Sequence, residues 1–354
     1  MFYLCYSNFI PNMLEHETIY ILAIESSCDD TSAAVLMNDK VLSNVVATQA
    51  IHKEYGGVVP ELASRAHQQN IVPVVDQAIA KANIDKKQLS AIAFTRGPGL
   101  MGSLLVGTSF AKSLSLGLQI PLIEVNHMKA HILAHFINDD SMKPPKFPFL
   151  ALTISGGHTQ IVRVNDFFDM KIIGQTLDDA VGEAFDKSAK ILGLPYPGGP
   201  LIDKYAATGN QHKFEFPIPK VKELDFSFSG LKTSILYFIQ KQTKEAPDFI
   251  KNNLEDICAS IQYTIITILM RKLKKAVKLT GIKEIAIGGG VSANSGIRKA
   301  LMDAQTKYGW KTYVPKFEYC TDNAAMIGIV GYYKYKNEVF AQQDVTAKAR
   351  YLIS

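Results

Sequence analysis

Three histidines stand close together in the segment NHMKAHILAH, residues 126–135. The whole chain contains 8 histidines among 354 residues, so this concentration asks for a chemical reason. Residues four positions apart share one face of a helix, and the spacing therefore predicts that His127 and His131 bind one metal ion together. His135 is rotated by about 80° from His127 at 3.6 residues per turn, which predicts that it packs or lies behind the ligands.

A zinc protease with the pattern HExxH has the same histidine spacing, but its general base is a glutamate directly after the first histidine. Met128 occupies that position here, and Lys129 cannot act as the base at neutral pH. An acidic ligand is available in YCTDNAAMIG, where Asp322 is predicted to be the N-cap of an apolar helix. Together with His127 and His131 it would form a mixed nitrogen and oxygen site suited to iron, zinc or manganese.

The elements that must position these residues form a repeated pattern. Three β-prone segments joined by polar turns begin at IYILAIESS, residues 19–27, and again at FLALTISGG, residues 149–157. Each copy is followed by a helix and then by a strand, a glycine loop and another helix, in residues 91–114 and 284–302. The repetition predicts a duplicated two-lobe α/β fold with a nucleotide cleft between the lobes.

The same pattern predicts the boundaries of the domains. We expect an N-terminal extension, an N-terminal lobe, a linker, a C-terminal lobe and a segment that returns to the N-terminal lobe. These are residues 1–18, 19–138, 139–148, 149–330 and 331–354.

Several loops in this pattern can hold phosphate. The turn IESSCDDTS, residues 24–32, contains acids and hydroxyls, and ISGGHT, residues 154–159, contains two glycines in the matching turn of the second copy. GGGVSAN, residues 288–294, leads from a strand into a helix, where backbone N–H groups can approach a phosphate. We therefore expect a nucleotide to be gripped from both lobes.

Composition limits the class of protein. The chain is 47% hydrophobic and 20% charged, as in ordinary folded proteins, and its formal net charge of +5 is compatible with RNA as a partner. Its 4 cysteines form no CxxC pair, which argues against a zinc ribbon or a disulfide framework and favours a reducing compartment. No apolar run approaches the roughly 20 residues that would span a bilayer, so no membrane association is expected.

Seven motifs in order resemble a known family: ESSCDDTS, HMKAH, SGGHTQIV, GEAFDKSAKILG with YPGGP, FSFSGLKT, GGGVSAN and CTDNAAMIG. The chain resembles the tRNA adenosine threonylcarbamoyltransferases, the TsaD family, once described as endopeptidases. This family has the actin-like ATPase fold that actin, sugar kinases and heat-shock chaperones share. The resemblance implies transfer of the threonylcarbamoyl group from threonylcarbamoyl-AMP to the exocyclic amine of adenosine 37 in tRNAs that read ANN codons.

The resemblance also implies the roles of individual residues. His127, His131 and Asp322 would bind the metal, and Asp29 and Asp30 would be catalytic, with Asp30 the candidate general base. The implied substrate-binding residues are Ile154, Ser155, Gly156, Gly157, His158, Asp186, Gly199, Asp203 and Asn294. The implied cofactor is one divalent ion, iron by resemblance with zinc, manganese or magnesium as alternatives, and an adenine nucleotide is part of the substrate.

The implied partners are tRNA, threonylcarbamoyl-AMP and, in bacteria, a TsaB-like paralogue and a TsaE-like ATPase. The expected location is the cytoplasm, with the mitochondrial matrix as the alternative. The family pattern HMEGH becomes HMKAH here, with Lys129 and Ala130, and Asp30 replaces a glutamate. A sugar or acetate kinase of the same superfamily would not explain the histidine pair. The presence of every presumed ligand argues against the other alternative, a scaffold without catalysis.

Overall fold

The structure, a computed structural model, describes residues 18–139 and 143–353. The prediction of an N-terminal extension falls almost entirely on residues 1–17, which lie outside the described residues, as do residues 140–142 of the expected linker. Within the described ranges the chain forms two mixed five-stranded sheets with helices packed on their faces. This confirms the predicted two-lobe α/β fold.

The first sheet has the strand order β3-β2-β1-β4-β5. Its opening strands β1, β2 and β3 are antiparallel, whereas β4 and β5 run parallel to β1. The strands are β1 Tyr20–Glu25, β2 Thr31–Met37, β3 Lys40–Ala47, β4 Ala91–Gly97 and β5 Leu122–Asn126. The helices of this half are α1 Pro60–Ala82, α2 Met101–Leu118 and α3 His127–Leu133.

The second sheet repeats the arrangement in the order β10-β9-β6-β7-β8. Again three antiparallel strands open the sheet, and β9 runs parallel to the first of them. The strands are β6 Phe149–Ile154, β7 Thr159–Val164, β8 Met170–Gln175, β9 Glu284–Gly288 and β10 Lys311–Tyr313. The remaining helices are α4 Val181–Ile191, α5 Gly198–Ala206, α6 Ser229–Glu245, α7 Phe249–Thr280, α8 Ser295–Tyr308 and α9 Ala324–Lys336. The predicted repeat of a three-strand opening is confirmed.

Two helices lie in the apolar core that the sheets share. α3 contacts β4 and β5 of the first sheet and β6 and β9 of the second, and α9 packs on α3 and on the first sheet. Glycines allow this close approach, because a Cβ on Gly331 would stand 2.6 Å from the Cβ of Ala93, and one on Gly328 would stand 2.2 Å from Leu36. α3 is therefore held between the two sheets, and α9 is fixed against α3 and the first sheet.

The chain after α9 stays with the first sheet. Ala341 forms a bridge with Leu122 of β5, and the Asn126 side-chain amide donates to the carbonyl oxygens of Tyr351 and Leu352. The division into lobes at residues 149 and 330 stays a prediction, since α9 already lies against the first sheet from its start at Ala324. Among the helices of the described ranges, none combines the length and apolarity needed to cross a membrane.

Candidate metal centre

The helix α3 carries the two histidines of the predicted pair. It begins directly after β5 because the Asn126 side chain accepts hydrogen bonds from the backbone N–H groups of Met128 and Lys129. His127 and His131 are 8% and 1% exposed, and their ring centroids are 4.6 Å apart. One helical turn therefore places both imidazoles side by side in a buried position.

Asp322 reaches the same point from the segment before α9. Its Oδ1 atom lies 3.4 Å from His127 Nε2 and 3.3 Å from His131 Nε2. The prediction that Asp322 caps α9 is wrong: the cap is Asn323, whose Oδ1 accepts from Met326 N–H at 3.0 Å. Because the neighbouring residue satisfies the helix end, the Asp322 carboxylate is available to the histidines.

The three side chains fit one metal ion. One ligand atom from each of His127, His131 and Asp322 lies within 4.8 Å of the others. Within the part of the chain that the structure describes, neither ring nitrogen of His131 makes a hydrogen bond, although buried polar atoms normally do. Burial lowers the pKa of His131, which favours the neutral, metal-binding form of the imidazole.

Behind His127 lies Glu25, which was not among the site residues expected from the sequence. The Glu25 carboxylate, at the end of β1, is 0% exposed, and its Oε2 atom is 3.0 Å from His127 Nδ1. Burial alone would raise the pKa of Glu25, but the interaction with His127 outweighs it and lowers the pKa. The feature of the sequence that could have identified Glu25 is its position as an acid at the end of the otherwise apolar strand YILAIE.

The charges of the centre act on one another. Burial alone would lower the pKa of His127, but Glu25 and Asp322 raise it well above the usual value. Burial would raise the pKa of Asp322, and the two histidines lower it. The pocket therefore stabilises positive charge at its centre, as a cation site requires.

His135 does not belong to this cluster. It lies in a 3-10 turn after α3, and its Nε2 donates to the carbonyl oxygen of Ile287 at 2.9 Å. Burial lowers the pKa of His135 to about 4. Of the two roles expected for His135, packing is the one that this contact supports.

Lys129, the departure from the family pattern, lies on another side of α3. Position 129 is turned by about 200° from position 127, so the two side chains point in different directions. The carboxylates of Asp166 and Asp169, in the turn between β7 and β8, attract the Lys129 ammonium, while burial lowers its pKa. These two acids of the second lobe therefore offset part of the cost of burying its charge.

We expect Lys129→Glu to lower the free energy of unfolding by about 1 kcal/mol, because it places a third carboxylate beside Asp166 and Asp169. Chemical denaturation measures this change. Metal affinity should stay within about twofold of the unmodified protein. Lys241→Glu, at an exposed site in α6, is the matched control and should change neither quantity. Loss of metal affinity in Lys129→Glu would show that this residue acts on the metal centre.

The turn Ile154–His158 lies where β6 ends. Ser155 N–H donates to His158 O, and His158 N–H donates to Ser155 Oγ, which closes the turn. The start of α4 packs directly on it, since Gly182 N–H donates to Ser155 O and a Cβ on Gly182 would be 2.7 Å from that oxygen. Burial and the charges of His127 and His131 lower the pKa of His158, so its ring lies on the side of the metal centre.

The other predicted substrate residues form two clusters in the second lobe. Asp186 Oδ1 accepts from the N–H groups of Gly198 and Gly199 at 2.8 and 3.0 Å and so caps α5. Asp203 Oδ1 and Asn294 Oδ1 both accept from Gln262 Nε2, at 2.9 and 3.2 Å. Gln262 of α7 thus joins two predicted residues that are distant in sequence, and it was not among the residues expected from the sequence.

Asp30 lies in the first-lobe turn near the metal centre. Burial, followed by the charges of Asp29 and Asp322, raises the pKa of Asp30 to about 7. Its Oδ1 atom is buried and has no hydrogen-bond partner within the described ranges. Burial and the charges of Asp186 and Asp29 likewise raise the pKa of Tyr196 to about 12, so Tyr196 lies near acids of both lobes.

Comparison with known proteins identifies close relatives. The family model for TsaD, tRNA N6-adenosine threonylcarbamoyltransferase, matches residues 40–329. A relative with that name from Christiangramia forsetii is 73% identical over 338 residues, which cover 96% of this chain and 99% of the relative. A second, from Riemerella anatipestifer, is 64% identical over 331 residues and covers 94% and 97%.

Solved structures support the fold. Full-length HypF in its phosphate- and nucleotide-bound form gives a TM-score of 0.60 at 14% identity, over 93% of this chain and 48% of HypF. Component A of the (R)-2-hydroxyglutaryl-CoA dehydratase of Acidaminococcus fermentans gives 0.51 at 15% identity, over 90% and 99%. At these identities the likeness concerns the fold alone.

Proposed function

The chain belongs to the TsaD family of tRNA N6-adenosine threonylcarbamoyltransferases, and we propose that it carries out the transfer at a metal centre formed by His127, His131 and Asp322. It is a transferase that modifies adenosine in tRNA. The observation that supports the site is the grouping of three ligand atoms within 4.8 Å at the meeting point of both lobes. The proposed donor is threonylcarbamoyl-AMP, and the proposed acceptor is adenosine 37.

The donor set of two imidazoles and one carboxylate is suited to iron, zinc or manganese. We propose one divalent ion, with iron preferred by family resemblance and magnesium the least compatible with the two nitrogen ligands. When bound, it would supply a Lewis acid for the carbonyl group and positive charge for the phosphate. Held by three protein ligands, such an ion would remain able to bind the substrate.

The turn Ile154–His158 is proposed to bind the phosphate of the donor. Gly156 and Gly157 are exposed and have no side chains, so their backbone N–H groups can approach an anion closely. His158, on the side of the metal centre, would orient the reacting group. Asp186 and Gly199 hold the start of α5, and Asp203 with Asn294 offers polar groups for the nucleoside.

The proposed reaction is an acyl transfer. The N6 amine of adenosine attacks the carbamoyl carbon, an N–C bond forms, and the bond between that carbon and the phosphate oxygen breaks. The electron pair of this bond leaves with AMP. Asp30 accepts the proton that the amine loses, since a carboxylate with a pKa of about 7 is a suitable base at neutral pH. Asp29, beside it, is proposed to orient the donor.

Partners and location are proposed from the family. A TsaB-like paralogue and a TsaE-like ATPase would work with this chain, and a separate enzyme would make the adenylate. The cytoplasm is the proposed location, in keeping with the bacterial relatives.

Mass spectrometry of tRNA nucleosides tests the function. Unmodified tRNA is incubated with the protein, threonylcarbamoyl-AMP, a divalent metal and the candidate partners. We expect threonylcarbamoyladenosine to accumulate, and to stay absent when the protein is omitted. If no threonylcarbamoyladenosine forms with iron, zinc, manganese or magnesium, the proposed activity is wrong.

A further inference from the structure

Glu25 has a complete set of hydrogen bonds in a fully buried position. Its Oε1 atom accepts from Ser27 N–H at 2.5 Å, and its Oε2 atom accepts from Thr95 Oγ1 at 2.6 Å. Oε2 is also 3.0 Å from His127 Nδ1. Because β1 and β4 are neighbouring parallel strands, the sheet itself holds the carboxylate at this point.

This contact determines which nitrogen of His127 carries a proton. A carboxylate only accepts hydrogen bonds, so the hydrogen at Nδ1 points toward Glu25. Ser27 Oγ, 3.2 Å from the same nitrogen, can share it. The lone pair of the neutral ring is then on Nε2, the atom 3.4 Å from Asp322 Oδ1.

His127 and His131 differ in the partner of their Nδ1 atom. His131 Nδ1 is buried and makes no hydrogen bond within the described part of the chain. Asp322 contacts Nε2 of both rings, but of these two histidines it is His127 that also has a carboxylate at Nδ1, which fixes its ring orientation and its tautomer. Outer carboxylates of this kind orient metal-binding histidines and make them stronger ligands.

We propose that Glu25 is the positioning residue of the metal centre: its carboxylate holds the proton of His127 on Nδ1 and presents Nε2 to the metal. This inference rests on the proposed function of His127, His131 and Asp322 as ligands. It assigns the last residue of β1 a role in metal affinity in addition to its place in the first sheet.

Glu25→Gln has the same shape as the native side chain but cannot reproduce its hydrogen bonds. Both carboxylate oxygens accept from N–H groups, one from Ser27 and the other from His127. In either orientation the new amide turns its own NH2 group toward one of these donors. With NH2 toward His127, the imidazole proton is driven to Nε2, where it blocks metal binding.

The experiment measures the affinity of the metal-free protein for Co²⁺ and Zn²⁺ by competition with a chromophoric chelator. Glu25→Gln should bind about 10- to 100-fold more weakly than the native protein. Glu124→Gln, on β5 of the same sheet and paired with Arg96, is the matched control and should bind normally. tRNA modification by Glu25→Gln should recover as the metal concentration is raised, because mass action restores occupancy.

The outcomes separate this inference from the proposed function. If the native protein binds metal and Glu25→Gln binds within twofold of it, Glu25 does not position His127, and the proposed function stands. If the native protein binds no metal, both ideas are wrong. A purely structural role would lower the thermal midpoint of metal-free Glu25→Gln and leave its metal affinity unchanged, which also overturns the inference.

Discussion

His131→Ala should lose metal binding and tRNA modification while the protein remains folded. His131 is 1% exposed and contributes one of the three ligand atoms, so its removal leaves an incomplete donor set. Apart from the 3.3 Å contact of Nε2 with Asp322, its ring nitrogens have no hydrogen-bond partner within the described residues, so the substitution removes no hydrogen bond to the rest of the fold. We expect metal affinity to fall at least about 100-fold and the rate of transfer to fall with it.

His135→Ala is the matched control for this prediction. The residue is similarly buried, four positions farther along the chain, but it donates to the carbonyl oxygen of Ile287 and is not one of the three grouped ligands. Its replacement should lower the free energy of unfolding by about 2 kcal/mol and leave metal affinity intact. Chelator competition and chemical denaturation on both variants give the comparison. If His131→Ala retains metal and activity, the metal centre is not formed by this histidine.

Asp30→Asn should lower the rate of threonylcarbamoyl transfer by about 100- to 10,000-fold. The amide has nearly the shape of the carboxylic acid but cannot accept the proton of the adenosine amine. Burial and the charges of Asp29 and Asp322 raise the pKa of the native group to about 7. The native rate should therefore increase as pH rises through this value, and a bound cation moves the inflection to lower pH. This dependence should disappear in the variant.

The ionised form of Asp30, which the transfer reaction requires, lowers the stability of the folded protein. Its folded-state pKa lies above the ordinary value, so the folded protein holds a proton that the unfolded chain releases. Its contribution is fully present below about pH 4 and is lost as pH rises through about 7. Asp30→Asn should therefore be more stable than the native protein at pH 8, although it is less active. Asp76→Asn, at an exposed site in α1, is the control and should alter neither the transfer rate nor the stability. A normal transfer rate in Asp30→Asn would exclude Asp30 as the base.

Local sequence patterns were sufficient for most of the fold. The two three-strand openings, the strands with glycine loops and the helical spacing of His127 and His131 all depend on contacts near in sequence, which periodicity reports directly. The grouping of these histidines with Asp322 was expected from their ligand chemistry and implied again by the family resemblance, and the structure brings the three together.

What the sequence did not predict depends on distant contacts. Glu25 meets His127 because β1, β4 and β5 are neighbours in one sheet, and Gln262 meets Asp203 and Asn294 because α7 passes both. The error at Asp322 has a local cause. Aspartate and asparagine are both good N-caps and stand next to each other, so the choice between them depends on backbone geometry.

The position of α9 determines when the fold can be completed during synthesis. His127 and His131 are synthesised well before Asp322 and α9, which lie about 190 residues farther along the chain. Until then the face of the first sheet that α9 covers lacks its partner, and the metal site lacks its carboxylate. Nascent chains that stop before Ala324 should therefore expose apolar β-strands and require protection against aggregation.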